Sequence, residues 1–111
     1  MSFDWQFTLS ELESHDNYIL CDILKDLYCN VTEIIDKGGL NLLHHAVLKG
    51  IEGKCELLID FAKNFQKLSD SEIDLWINGK THAEKWTPLH YASFRGNLDA
   101  IYTLIKAGAD I

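Results

Sequence analysis

The sequence predicts an all-α fold, an α-solenoid of stacked helix pairs joined by short β-hairpin-like loops, and three observations carry the prediction. First, the chain repeats itself. NLLHHAVLKG, Asn41 to Gly50, lies over TPLHYASFRG, Thr87 to Gly96, with Leu43 on Leu89, His44 on His90, Ala46 on Ala92 and Gly50 on Gly96. The agreement runs on, setting Cys55, Leu58, Ile59 and Ala62 against Ile101, Leu104, Ile105 and Gly108. Second, the apolar residues of each copy recur at helical spacing. Third, each copy is only long enough for two short amphipathic helices, which cannot bury both faces between them, so the units must stack on neighbours.

From the N-terminus, residues 1–36 read as a degenerate, polar capping unit. Thr8-Leu9-Ser10-Glu11 has a capping-box pattern and predicts a helix start there. Leu9 and Leu12 follow as a short apolar face, and Ile19, Ile23, Leu24 and Leu27 predict a second helix. Ile34 to Asn41, IIDKGGLN, supplies a hairpin in which Gly38-Gly39 permits positive φ. In the first well-formed unit, residues 37–65, Asn41 is expected to cap one helix, and a second runs from about Glu52 to Phe65.

Residues 66–81 form an insertion and linker. Ser69-Asp70-Ser71-Glu72 has capping-box character, and Ile73, Leu75, Trp76 and Ile77 follow it, so an extra short helix is expected. Two readings stand: a surface insertion that packs its own apolar residues on the stack, or a docking surface. In the last unit, residues 82–111, Thr87 serves as N-cap, Pro88 occupies the first helical position, and Gly96 ends the helix after Arg95. Asn97 caps a second helix with Leu98, Ile101, Leu104 and Ile105 as its apolar stripe and Gly108 as its stop.

Trp86 to Asp110, WTPLHYASFRGNLDAIYTLIKAGAD, resembles an ankyrin repeat, including the T-P-L-H-x-A signature at Thr87 to Ala92 and the G-A-D that begins a further hairpin. NLLHHAVLKG is a weaker copy, with Asn41-Leu42 in place of Thr-Pro, Ile51 where a polar cap is usual, and Gly53 inside the first turn. The step from Leu43 to Leu89 is 46 residues, against a family period of about 33, so about 13 residues are inserted after the second helix of the earlier unit. The resemblance implies structural roles for His44, Gly50, Thr87, Pro88, Leu89, His90, Ala92, Gly96 and Gly108, the two histidines bridging hairpin and adjacent loop.

Protein–protein interaction is the function the resemblance implies, with a protein or peptide partner engaged through hairpin tips and the exposed side of the first helices. Those positions are Lys37, Leu40, His45, Leu48 and Lys49 in one unit and Glu84, Trp86, Tyr91, Phe94 and Arg95 in the next. Aromatic residues and arginine dominate binding energy at interfaces, although each aromatic here has the alternative of packing on a neighbouring hairpin. Lys85 stands where a hairpin glycine is usual. An outward-facing Ile101 and Leu104 leave an apolar end open to further repeats or to self-association. The expectation is therefore the N-terminal part of a longer protein. A rival reading makes the chain the regulatory or substrate-recruiting front of an enzyme or membrane protein, such as a multi-pass protein acyltransferase.

Composition bounds these readings. A hydrophobic share of 47% and a charged share of 24% fit one folded domain. No apolar run approaches the roughly 18 residues of a membrane span, and the opening carries acids where a secretory signal carries bases, so an intracellular protein, cytoplasmic or on the cytosolic face of a membrane, is expected without membrane contact by this segment. Residues 1–36 hold Asp4, Glu11, Glu13, Asp16, Asp22, Asp26, Glu33 and Asp36 against Lys25, which accounts for the whole net charge of -7. Phosphate backbones are poor partners for such a surface, and nucleic acid is not expected; a basic partner or plain solvation suits it better.

Chemistry is harder to find. Cys21, Cys29 and Cys55 are odd in number, lie in helical patterns and form no C-x-x-C pair, so reduced thiols are expected. His44-His45 with Cys55 lacks zinc spacing, and no metal or other cofactor is expected. Ser93 reads as a small inner position without a nucleophile elbow around it. Asp99 and Asp110 read as caps, and no acid–base pair emerges. No catalytic residue is assigned, and the chain is expected not to be an enzyme.

Overall fold

A computed structural model describes residues 3–49 and 51–111. Gly50, expected to end the first helix of its unit, lies outside the described residues. Seven α-helices are present among them: α1 (Trp5–Leu12), α2 (Tyr18–Lys25), α3 (Leu42–Lys49), α4 (Lys54–Asp60), α5 (Asp70–Ile77), α6 (Pro88–Arg95) and α7 (Leu98–Ala107). They form three pairs, α1/α2, α3/α4 and α6/α7, with α5 outside the repeat. The first helices pack in one row, α1 on α3 and α3 on α6, and α4 packs on α7 behind them. The only extended pairing among the described residues is a single antiparallel bridge from Ile35 to Asn41.

The first pair departs from its expected boundaries. Asp4, not Thr8, caps α1: its carboxylate accepts the Phe7 N–H at 3.0 Å. Thr8 is thereby carried into the helix and buried with Leu12 one turn on. Asn17 leads α2 but makes no side-chain cap there; its Oδ1 accepts instead from the Lys54 ammonium at the start of α4. Lys54 is only 1% exposed. Burial pushes its pKa down, while Cys21, Glu11 and Asp16 act the other way. An ammonium at that depth is costly unless hydrogen-bonded, so the Asn17 bond locks the first unit to the second.

The hairpin before α3 closes on Asp36. Its backbone N–H donates to the Leu40 carbonyl at 3.0 Å, and its Oδ1 accepts the N–H groups of Gly38 and Leu40, both at 2.9 Å. Gly39, rather than Gly38, takes the left-handed turn, with φ +83°. A Cβ there would fall 2.5 Å from the His82 ring, so the next hairpin can nest only against glycine. Asn41 caps α3 through the His44 N–H at 3.0 Å.

Gly53 lies ahead of α4 as its N-cap, with φ +86°, and the helix begins at Lys54 rather than near Glu52. Having no side chain to offer as a cap, Gly53 has its N–H held by the Asp99 carboxylate of α7, at 3.0 Å. Behind Asp60 the helix widens into a π-helical turn over Phe61–Phe65. The insertion then forms α5, with a full capping box between Ser69 and Glu72. Ile73, Trp76 and Ile77 are buried against the stack. The Trp76 carbonyl accepts from Asn41 Nδ2 at 3.0 Å, and Asn78 Oδ1 accepts the Asp110 N–H at 2.9 Å. Packing thus accounts for three of the four apolar residues expected there.

Thr87, Pro88 and Gly96 cap, start and stop α6, and Asn97 and Gly108 do the same work for α7. The two copies nevertheless differ in cover. Val47 in α3 is buried by its neighbours, whereas Ser93, its equivalent in α6, is exposed, which corrects the inner position expected for that serine. Cys55 and Ile59 are buried, but Ile105 is exposed and Ile101 half-exposed, while Leu104, expected to face outward, is buried in the core as Leu58 is. Leu98 adds a side chain 77% exposed to the same stripe. The reason is geometric: α6 and α7 cover the α3/α4 pair, and no element among the described residues covers α6 and α7.

Candidate partner-binding face

His44 ties the frame around the site, and His90 repeats part of that tie. The Nδ1 of His44 accepts the Asn41 N–H at 3.1 Å, and its Nε2 meets the Trp86 carbonyl at 2.9 Å. With Nδ1 occupied as acceptor, Nε2 carries the proton and donates it. Burial pushes the pKa of His44 down, with the neighbouring His45 adding to the effect and the Trp86 and Gly79 carbonyls and Asp36 opposing it. His90 repeats half of this arrangement: its Nδ1 accepts the Thr87 N–H at 2.9 Å. Among the described residues its Nε2 meets no carbonyl, and the residue is exposed.

Beside these ties the two hairpins stand tip to tip. The His82 N–H donates to the Gly38 carbonyl at 2.9 Å, and its ring Nδ1 reaches the Lys37 carbonyl at 3.2 Å. Thr81 and Trp86 close the second hairpin, N–H to carbonyl at 2.9 Å. Lys37, Glu84 and Lys85 occupy the exposed tips. Lys85 takes φ +60°, the left-handed place that glycine fills without strain.

Next to the tips lies a shelf of rings. Trp86 stacks edge-on to Tyr91 at 5.0 Å and to Phe94 at 5.6 Å between centroids, and it tilts over His90 at 6.1 Å. Tyr91 in turn meets His44 at 5.7 Å. Trp86 and Tyr91 are half-buried, while Phe94 is 78% exposed and Arg95 follows it at the end of α6. Sequence-expected residues thus come together here: Trp86, Tyr91, Phe94 and Arg95 on one unit, with Lys37 alongside.

The positions expected from the earlier unit are arranged differently. Leu40 and Leu48 are half-buried. The ring of His45 pairs with the Asp36 carboxylate at 2.8 Å and lies 5.1 Å from Trp5. Although burial works the other way, the Leu40 and Gly38 N–H groups and His45 hold the Asp36 carboxyl below its usual range. Lys49 is tied to Glu13 at 2.9 Å. Trp5, Glu13, Asp36 and His82 are therefore residues of this face that sequence reasoning missed. His82 and Asp36, at hairpin positions, carried some signal; Trp5 and Glu13 reach the face from far along the chain.

Among the described residues no cluster of three or more His, Cys, Asp or Glu side chains converges as a metal site. Burial, with Asp99 nearby, pushes the Cys55 thiol up to about 12. All three cysteines are free, Cys55 buried and the others half-buried. No helix among the described residues is long and apolar enough to cross a membrane. In comparison with known proteins, the family model for ankyrin repeats in three copies matches residues 14–111. No curated protein and no solved structure matches the chain.

Proposed function

Because the chain belongs to the ankyrin-repeat family, whose members generally mediate protein–protein interaction and are typically non-catalytic, we propose that it binds a protein or peptide partner inside the cell across the hairpin tips and the exposed side of α6. One observation carries the reading. The Trp86, Tyr91 and Phe94 rings are gathered on one face, and Phe94 is left largely in solvent beside Arg95. Residue types of this kind, once desolvated by a partner, supply most of an interface's energy. We also read the uncovered α6/α7 face as the seat of a further helix pair, in a longer protein or a second copy. The support is internal: Val47, Cys55 and Ile59 are buried on the preceding pair, whereas their counterparts Ser93, Ile101 and Ile105 are exposed or half-exposed.

Phe94→Ala with Arg95→Ala is the test of the binding face. Both side chains are exposed and the Phe94–Trp86 ring contact is the main one lost, worth about 1 kcal/mol, so the thermal midpoint is expected to fall by only about 4–8 °C. Proteins captured from lysate by the wild-type chain should be lost from the double variant. An unchanged set of captured proteins would remove the reading.

A further inference from the structure

We propose that the first unit carries a second docking site, a pocket between α1 and the end of α2 that takes a basic peptide segment by one aromatic or large aliphatic side chain. The site does not depend on the α6 face and selects a partner segment of its own.

The pocket follows from how α1 is turned. Trp5 points toward α3, its ring 5.1 Å from that of His45. Phe7, two residues on, stands about 200° round the helix and is left 47% exposed. There it lines an open pocket of about 290 Å³ together with Ile23, Leu27 and Ile34. Ligand pockets begin at about 300 Å³, so this one suits a single ring or branched aliphatic group. Thr8 stands in the same wall, 1% exposed, and its hydroxyl has no partner among the described residues. Alanine or valine would complete a core wall without that penalty. The pocket is not finished as core.

Charge names the occupant. Asp4 and Asp26 line the pocket, both exposed, and no lysine, arginine or histidine does. Among the described residues no cation pairs with either. Asp26 is also the C-cap of α2, where the helix end adds partial negative charge of its own. A third carboxylate is close by: burial, and after it the nearby Glu33, pushes up the pKa of Cys29, which lines the same pocket.

Cations on the neighbouring helices are turned elsewhere. Lys25 lies over the Phe65 ring at 5.9 Å, Lys49 pairs with Glu13 at 2.9 Å, and Lys54 is held by Asn17. Residues 1–36 hold eight acids against one base, so the pocket and the unit around it share one sign, and screening at physiological salt does not set them apart. An apolar seat among carboxylates fits a side chain flanked by lysine or arginine. The same carboxylates repel a phosphate backbone and anionic lipid headgroups.

A random-peptide display library panned against the full chain tests the proposal. Enriched peptides are expected to place lysine or arginine close to an aromatic or large aliphatic residue. A synthetic representative should bind about tenfold more weakly to Phe7→Ala and to Asp26→Lys, and more weakly as salt rises. Asp26→Lys should keep its thermal midpoint, because the side chain is exposed and a cation suits a helix C-terminus; its lost binding is then not lost folding. Phe7-dependent peptides that carry no cation, or that bind Asp26→Lys as well as the wild type, would overturn the basic assignment. If no enriched peptide depends on Phe7, the pocket is not a docking site. Enriched peptides that are all lost with Phe94→Ala and all kept by Phe7→Ala would remove this site and leave the α6 face standing.

Discussion

His44 is buried with both ring nitrogens in use, one accepting from Asn41 and one donating to the Trp86 carbonyl. Only the neutral ring satisfies both, since a proton on Nδ1 would confront the Asn41 N–H. Burial accordingly holds its folded pKa below the ordinary 6.5. The unfolded chain takes up a proton near that value while the folded one resists, so the stability His44 contributes is present above pH 6.5 and drains as pH falls below it. Thermal midpoints should thus decline from pH 7 to pH 5. His44→Ala should start lower, by about 2 kcal/mol for the lost buried bonds, and decline less over that range. Parallel pH profiles for the two proteins would count against the account. Much of this was legible from the repetition of His44 by His90. Other single residues were not. Lys54 matches Ala100 across the copies, and no local pattern announces a buried ammonium whose partner, Asn17, stands in another unit. Asp99 read as a local cap, yet the N–H it holds belongs to Gly53.

At the scale of elements, α5 shows where pattern suffices and where it stops. A capping box at Ser69 followed by apolar residues was enough to anticipate the helix, because both signals are local. Which side chains turn inward depends on what lies opposite: Trp76 is buried and Leu75 is 76% exposed, though they are adjacent. Trp76→Ala should therefore cost about 3–5 kcal/mol through the cavity left behind, and Leu75→Ala about 0.5 kcal/mol or less. Urea unfolding of the two variants separates them; equal midpoints would mean that α5 is not clamped to the stack. The start of α1 was misplaced for a related reason. Asp4 and Thr8 both offer an acceptor to a helix N-terminus; Asp4 takes the cap and Thr8 is buried within the helix, its hydroxyl unpartnered among the described residues, an outcome that a one-dimensional reading does not contain. Likewise Gly53 looked like a flaw within α4 and proved to lie ahead of it.

For the molecule as a whole, the uncovered outer side of α6 and α7 should govern behaviour in solution. Ile101 and Ile105, whose counterparts Cys55 and Ile59 are buried, present apolar surface there with Leu98 ahead of them on the same helix, surface of the kind that marks association sites. The chain by itself is expected to bind a hydrophobic dye and to show concentration-dependent association by sedimentation, and Leu98→Lys with Ile105→Lys should abolish both without lowering the thermal midpoint. A wild-type monomer that ignores the dye would contradict this. The fold class was readable because the periodic pattern spans two units; the cover of each face was not, because it depends on the next unit rather than on the residues of the face. One detail bears on how such chains are edited by recombination. Gly53 opens α4 but takes its cap from Asp99, and His44 anchors to a carbonyl of the next hairpin. A graft cut at the boundaries of one helix pair would sever both ties, leaving the Gly53 N–H and the His44 Nε2–H of one unit without their acceptors in the next. The smallest cassette that carries both ties, together with the Asn41 bonds that fix the His44 ring, runs from Asn41 through Asp99, across the join between two units, so that the join travels intact.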